Sequence, residues 1–215
     1  MRKKSQKLTV YVIVALLVIS LVGSSFVMFF GDTGNTNAPV TGTYESQIAS
    51  LNKALEANPQ DSQTRLNLAN IYYDWALQTQ SGNTPEKAGV IFQQAVAEYQ
   101  EVIKSNKNVN VLVDMATAAF YGGQDDLAEQ TFKEALELDP KFLNGLFNYG
   151  IFLMYAKEDF GAAIAQWEKA LTIENLSEEN KQRLQSSIKL AQDKIVENFE
   201  KTGSVDPSES TSGAK

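Results

Sequence analysis

Three times in this chain a small side chain, a bulky one four positions on and a smaller one three further fall on one face of a helix. The triads are Ala95, Tyr99 and Val102, then Ala128, Phe132 and Ala135, then Ala163, Trp167 and Ala170, separated by 33 and 35 residues. A period of that length predicts stacked helical units, none of which can bury its apolar face alone. In the middle copy, DLAEQTFKEALELDP, Pro140 predicts where the helix stops. An earlier half-copy carries Leu51, Ala54 and Pro59 and precedes the next by 48 residues, about 14 more than one period. The excess is expected as a loop over QTQSGNTPEK, Gln78 to Lys87.

Each triad is preceded by a second helical segment. TRLNLANIYYDWA contains Leu68, Ala69 and Tyr72, LFNYGIFLMYA contains Tyr149, Gly150 and Leu153, and a looser middle copy contains Met115, Ala116 and Ala119. These segments and their spacing resemble the tetratricopeptide repeat family over about Tyr44 to Asn175. The resemblance implies an all-α fold, an antiparallel helix-turn-helix repeat solenoid in which small residues let paired helices approach and bulky ones fill the gaps between them. From Ser177 onward Leu184, Ile188, Ala191, Ile195 and Phe199 recur at three- and four-residue steps, so a last helix is expected to cap the stack. The repeat domain is thereby placed at residues 44–201, and the tail, 202–215, has too little to bury to be ordered.

Ahead of the repeats, Leu8 to Phe30 is a run of 23 residues without a charge. As a helix it would extend roughly 34 Å, enough to cross a bilayer core of about 30 Å. Arg2, Lys3, Lys4 and Lys7 precede it, in a basic tail of residues 1–7. The positive-inside rule therefore puts the N-terminus in the cytoplasm and the repeats outside, beyond a Gly-, Asn- and Thr-rich flexible spacer at 31–43. The competing reading is a cleaved signal peptide processed near Gly23, Ser24 and Ser25, but the apolar run continues through Phe30.

Composition removes several kinds of chemistry. The sequence has no His and no Cys, which excludes imidazole catalysis, thiolate catalysis, disulfides and acylation of a lipoprotein cysteine. Beyond residue 7 there are 15 basic and 26 acidic residues, a balance that disfavours nucleic acid as a partner. Asp125 with Asp126, and Glu178 with Glu179, are adjacent pairs whose side chains diverge on a helix, and no phosphate-loop, calcium-loop or nucleophile-elbow spacing is present. Neither a cofactor nor enzymatic activity is expected.

In the family the first helix of each repeat lines a concave surface, and helix phase picks out the positions that would face it. They are Asn67, Asn70 and Tyr73 in the first repeat, Val113, Thr117, Phe120 and Tyr121 in the second, and Phe147, Asn148, Ile151, Met154 and Tyr155 in the third. Asp74 and Asn110 fall on the same faces. A mainly apolar groove of this kind suits an amphipathic helix or an extended peptide of a partner protein, with the Asn side chains free to bond its backbone. It has none of the basic residues with which one subclass of the family clamps a C-terminal carboxylate. Apolar positions at helical spacing are equally explained as core. The expectation is a membrane-anchored scaffold or adaptor. Two alternatives are a self-associating membrane platform and, from the similarity of LFNYGIFLMYAKEDFGAAIAQWEKAL to membrane-tethered helpers of c-type cytochrome assembly, a holder of apoprotein.

Overall fold

The computed structural model describes residues 43–82 and 84–203. Within them every regular element is helical: α1 (Tyr44–Ala57), α2 (Ser62–Ser81), α3 (Pro85–Val102), α4 (Val109–Tyr121), α5 (Asp125–Leu138), α6 (Leu143–Tyr155), α7 (Phe160–Leu171) and α8 (Glu178–Gly203). The basic tail, the 8–30 span, the spacer up to residue 42 and residues 204–215 lie outside the described residues. No helix among the described residues is long and apolar enough to cross a membrane.

Starts and stops follow local chemistry. Asp61 caps α2, its Oδ1 accepting from the Gln63 and Thr64 amides at 3.1 Å each. Asn108 does the same for α4 through Val111, Asp159 for α7 through Ala162, and the Ser177 hydroxyl accepts from the Asn180 amide at the head of α8. Each such cap is worth about 1 kcal/mol. Helix α4 ends in a paired-bond stop, with the Gly123 amide on the Phe120 carbonyl and the Gln124 amide on the Ala119 carbonyl. Gly123 sits at φ 74°, where a side chain would be strained.

The chain divides into two compact units at Pro140 and Lys141. In unit 1, α1 packs on α2, α2 on α3, α3 on α4, and α4 on α5. Its core holds Leu68, Phe92, Tyr99, Leu112, Phe120 and Phe132, all at 2% exposure or less. In unit 2, α6 packs on α7 and α7 on α8, around Leu146, Phe152, Trp167 and Leu184. The nine triad residues are all buried, none above 1% exposure. Gly150 makes the closest approach: a Cβ there would fall inside the Trp167 indole, whose Nε1 donates to the Phe147 carbonyl at 3.1 Å.

The long first repeat differs from expectation. Instead of a ten-residue loop from Gln78, α2 continues to Ser81 and α3 starts at Pro85, so the extra residues go into helix. The two helices are 20 and 18 residues long, against 13 and 14 for α4 and α5. Proline at the first helical position needs no amide donor, which is why it can open α3 directly after so short a turn.

Candidate functional site

In unit 1 the first-helix faces belong to α2 and α4. Helix α4 is apolar nearly all round and is clasped between α3 and α5, so only Asn110 and Asp114, one turn apart, are exposed along it. Val113, Thr117, Phe120 and Tyr121 are core: Tyr121 stacks on Phe92 and Phe120, and the Thr117 hydroxyl donates to the Val113 carbonyl at 2.7 Å. The open apolar groove expected at these four positions is therefore filled by the unit's own packing. A helix that is apolar on both flanks has two neighbours, and here both are in the chain.

Helix α2 keeps more of its face accessible. Asn67 is half-buried and its Oδ1 accepts from Gln63 Nε2 at 3.2 Å. Asn70 is half-buried too, and its Oδ1 accepts from the hydroxyl of the buried Tyr99 at 2.7 Å. Tyr73 is 7% exposed and sets its ring edge against Phe92. Asp74, one turn beyond Asn70, is half-buried. On the far side of the face Arg65 Nη1 pairs with Glu98 at 2.8 Å, joining α2 to α3.

Asp114 feels the charge of Asp74. Burial pushes the Asp74 carboxyl up to about 6. Burial, and then the charge of Asp74, push Asp114 up to about 7. Asp114 nonetheless touches solvent. Burial raises the Tyr73 and Tyr99 phenols as well, and both also feel Asp114 and Asp74.

Unit 2 treats its first helix differently. Phe147, Ile151 and Met154 are buried at 5%, 5% and 2% exposure, and so are Tyr149, Gly150 and Leu153 on the other flank. Asn148 and Tyr155 remain half-buried, and burial raises the Tyr155 phenol. Helix α8 crosses the start of α6 and lays the Arg183 guanidinium 3.5 Å over the Phe147 ring. Leu143, Asn144, Phe147, Asn180, Arg183 and Leu184 enclose a cavity of about 10 Å³ there, room for one water. Arg183 Nη2 is buried without a hydrogen-bond partner, and burial lowers the guanidinium to about 10.

Sequence reasoning thus passed over Asp114 and Arg183. Asp114 had a signal, being the only charged residue between Lys107 and Asp125 and one turn after Asn110. Arg183 had none, because it sits among polar residues on a helix read as a cap.

Residues 109–142, which are α4, α5 and the turn after them, match the family model described as tetratricopeptide repeat. This stretch is similar to a tetratricopeptide repeat. The described chain has the same fold as two crystal structures of MamA. One has a TM-score of 0.51 at 16% identity, covering 94% of this chain and 97% of that one; the other has 0.50 at 17%, covering 73% and 91%. A tetratricopeptide protein of Thermus thermophilus aligns at 18% identity over 67% of this chain and 90% of its own, with a TM-score of 0.44. No curated protein matches the sequence. Proteins built from tetratricopeptide repeats generally mediate protein–protein contacts, and the scaffold is generally not enzymatic.

Proposed function

We propose that this protein is a single-pass, membrane-anchored adaptor whose repeats face the outer side of a cytoplasmic membrane and bind a segment of another protein along the first-helix face of unit 1. The observation that carries this reading is the accessible polar ridge of Asn67, Asn70, Asp74, Asn110 and Asp114, set among side chains that are otherwise core. Surface of that kind offers hydrogen bonds to an extended or helical segment without a large apolar area to drive nonspecific association. The uncharged run at 8–30 behind four positive charges supports the anchor and its orientation.

Two measurements test it. Protease added outside intact spheroplasts should digest the repeats, and digestion only after lysis would reverse the topology. A partner captured from native membranes by the full chain should be lost on Asn110→Arg, which alters an exposed position, and kept on Gln130→Arg, an exposed position on α5. Equal capture by both variants would move the site off this face.

Self-association is a second reading, favoured by one feature of α8. The apolar stripe that buries Leu184 and Ala191 runs on through Ile195 and Phe199, which are 44% and 75% exposed. Light scattering on Ile195→Ser with Phe199→Ser, against the parent chain, tests it: a parent dimer that becomes a monomer supports it, and a monomeric parent removes it.

A further inference from the structure

Helix α8 is longer than the helix it packs on. Its 26 residues extend about 39 Å at about 1.5 Å per residue, against about 18 Å for the 12 residues of α7. Leu184 and Ala191 are buried, and from Gln192 to Glu200 no side chain is. That overhang nevertheless carries Ile195, Val196 and Phe199, all exposed. Of the other large apolar side chains exposed among the described residues, only Val90 and Leu138 lie outside α8. Ile188, Ile195 and Phe199 fall within about 40° of one another in helix phase and form one stripe. Lys189 and Glu200 each follow a stripe residue by one position, so both stand on the same flank of it, toward opposite ends.

We propose that the overhang of α8 is covered by the overhang of a second copy of this chain, the two helices running antiparallel about a two-fold axis close to Ile195. Such an axis brings three pairs level to within about 3 Å along the helices: Ile195 with Ile195, Ile188 with Phe199, and Lys189 with Glu200 of the second copy. An axis perpendicular to the helices lays each flank on the same flank of the other copy. A flank with a cation toward one end and an anion toward the other is then complementary to itself. A parallel pair would instead set that flank against the opposite one, where Ala191 and Asn198 stand, and would lose both charge pairs. Within its own helix Lys189 pairs with Asp193 at 3.3 Å, both largely exposed, a contact that costs little to exchange. An anionic lipid surface is a poorer cover, since Asp193, Glu197 and Glu200 outnumber Lys194 along the overhang.

This inference rests on the self-association reading of α8 and adds its direction and register. The sequence has no cysteine, so a single one introduced into the full chain reports on its own counterpart. Ile195→Cys, oxidised in the native membrane, should give a disulfide-linked dimer, because the two-fold axis holds that pair within the roughly 4–7 Å between Cα atoms that a disulfide spans. Phe199→Cys, whose counterpart lies more than about 10 Å away along the axis, should give little. In the Ile195→Cys chain, Glu200→Lys should lower linkage about fivefold, and adding Lys189→Glu should restore it, which a substitution that merely weakened the helix would not allow. Equal linkage from 195 and 199, linkage from 195 that Glu200→Lys leaves unchanged, or a dimer by light scattering in detergent with no linkage from 195 would each overturn the proposal and keep self-association. A monomer by light scattering with no linkage from 195 would reject both.

Discussion

The two units draw opposite electrostatic surfaces from the same helix-pair plan. In unit 1 the first-helix face carries two carboxylates, Asp74 half-buried and Asp114 exposed, whose charged forms burial opposes. In unit 2 the corresponding helix is closed over, and the charge nearby is the Arg183 guanidinium, spread on the Phe147 ring beside a cavity of about 10 Å³. The lesson is that the repeat fixes packing and leaves charge to individual residues. Burial raises the acids toward neutrality, where they can change state, and lowers Arg183 only to about 10, where it stays charged. Unit 1 is therefore the half whose behaviour should depend on pH, and unit 2 the half that is mainly packing.

The largest effects should come from breaking unit 2. Trp167→Ala removes a fully buried indole and its bond to Phe147, and should cost about 4 kcal/mol in chemical denaturation. Gly150→Ala should cost about 3 kcal/mol, because the added methyl displaces that indole. In unit 1 the corresponding position is Ala116, also fully buried, and Ala116→Gly should cost only about 1 kcal/mol. Similar costs at Gly150 and Ala116 would erase the distinction in packing.

A smaller effect sharpens the electrostatic side. Both acids have folded-state values above their ordinary range, so the folded protein holds more protons than the unfolded chain between the two values. Stability should therefore be greatest below about pH 4 as far as these groups are concerned, and fall as pH rises through 6 to 7. Allowing for the solvent contact of Asp114, the loss is on the order of 1 kcal/mol. Thermal unfolding at pH 5 and pH 8 checks it, and Asp114→Asn should flatten the difference. Last and smallest, Arg183→Met should lie within about 1 kcal/mol of the parent, because the lost ring contact is offset by relief of a buried unpaired donor.

Much of this architecture is legible in the residues. The spacing of Ala95, Tyr99 and Val102 and of their two later copies identifies the side chains that end up fully buried, since small-large-small packing between paired helices leaves little freedom. Pro140 and Ser177 mark a stop and a start to within two residues. The face of α4 is less legible. Val113 and Asp114 differ by one position and so by about 100° of helix phase, and an almost wholly apolar helix offers no polar stripe to fix that phase. The closure over Phe147 is decided by the path of α8, which no periodicity in α6 encodes. The long α2 and α3 are hidden by Gly82 and Pro85, residues that read as a loop but here end one helix and open the next.

The most direct test of the account is to place a photo-crosslinking residue at Asn110 on α4, with the same residue at Gln130 on α5 as the comparison, in the full chain in its native membrane. Both positions are exposed, so neither disturbs the core. The first-helix face of unit 1 predicts a discrete partner protein crosslinked from position 110 and not from 130. Capture from 130 alone, or equally from both, would contradict it.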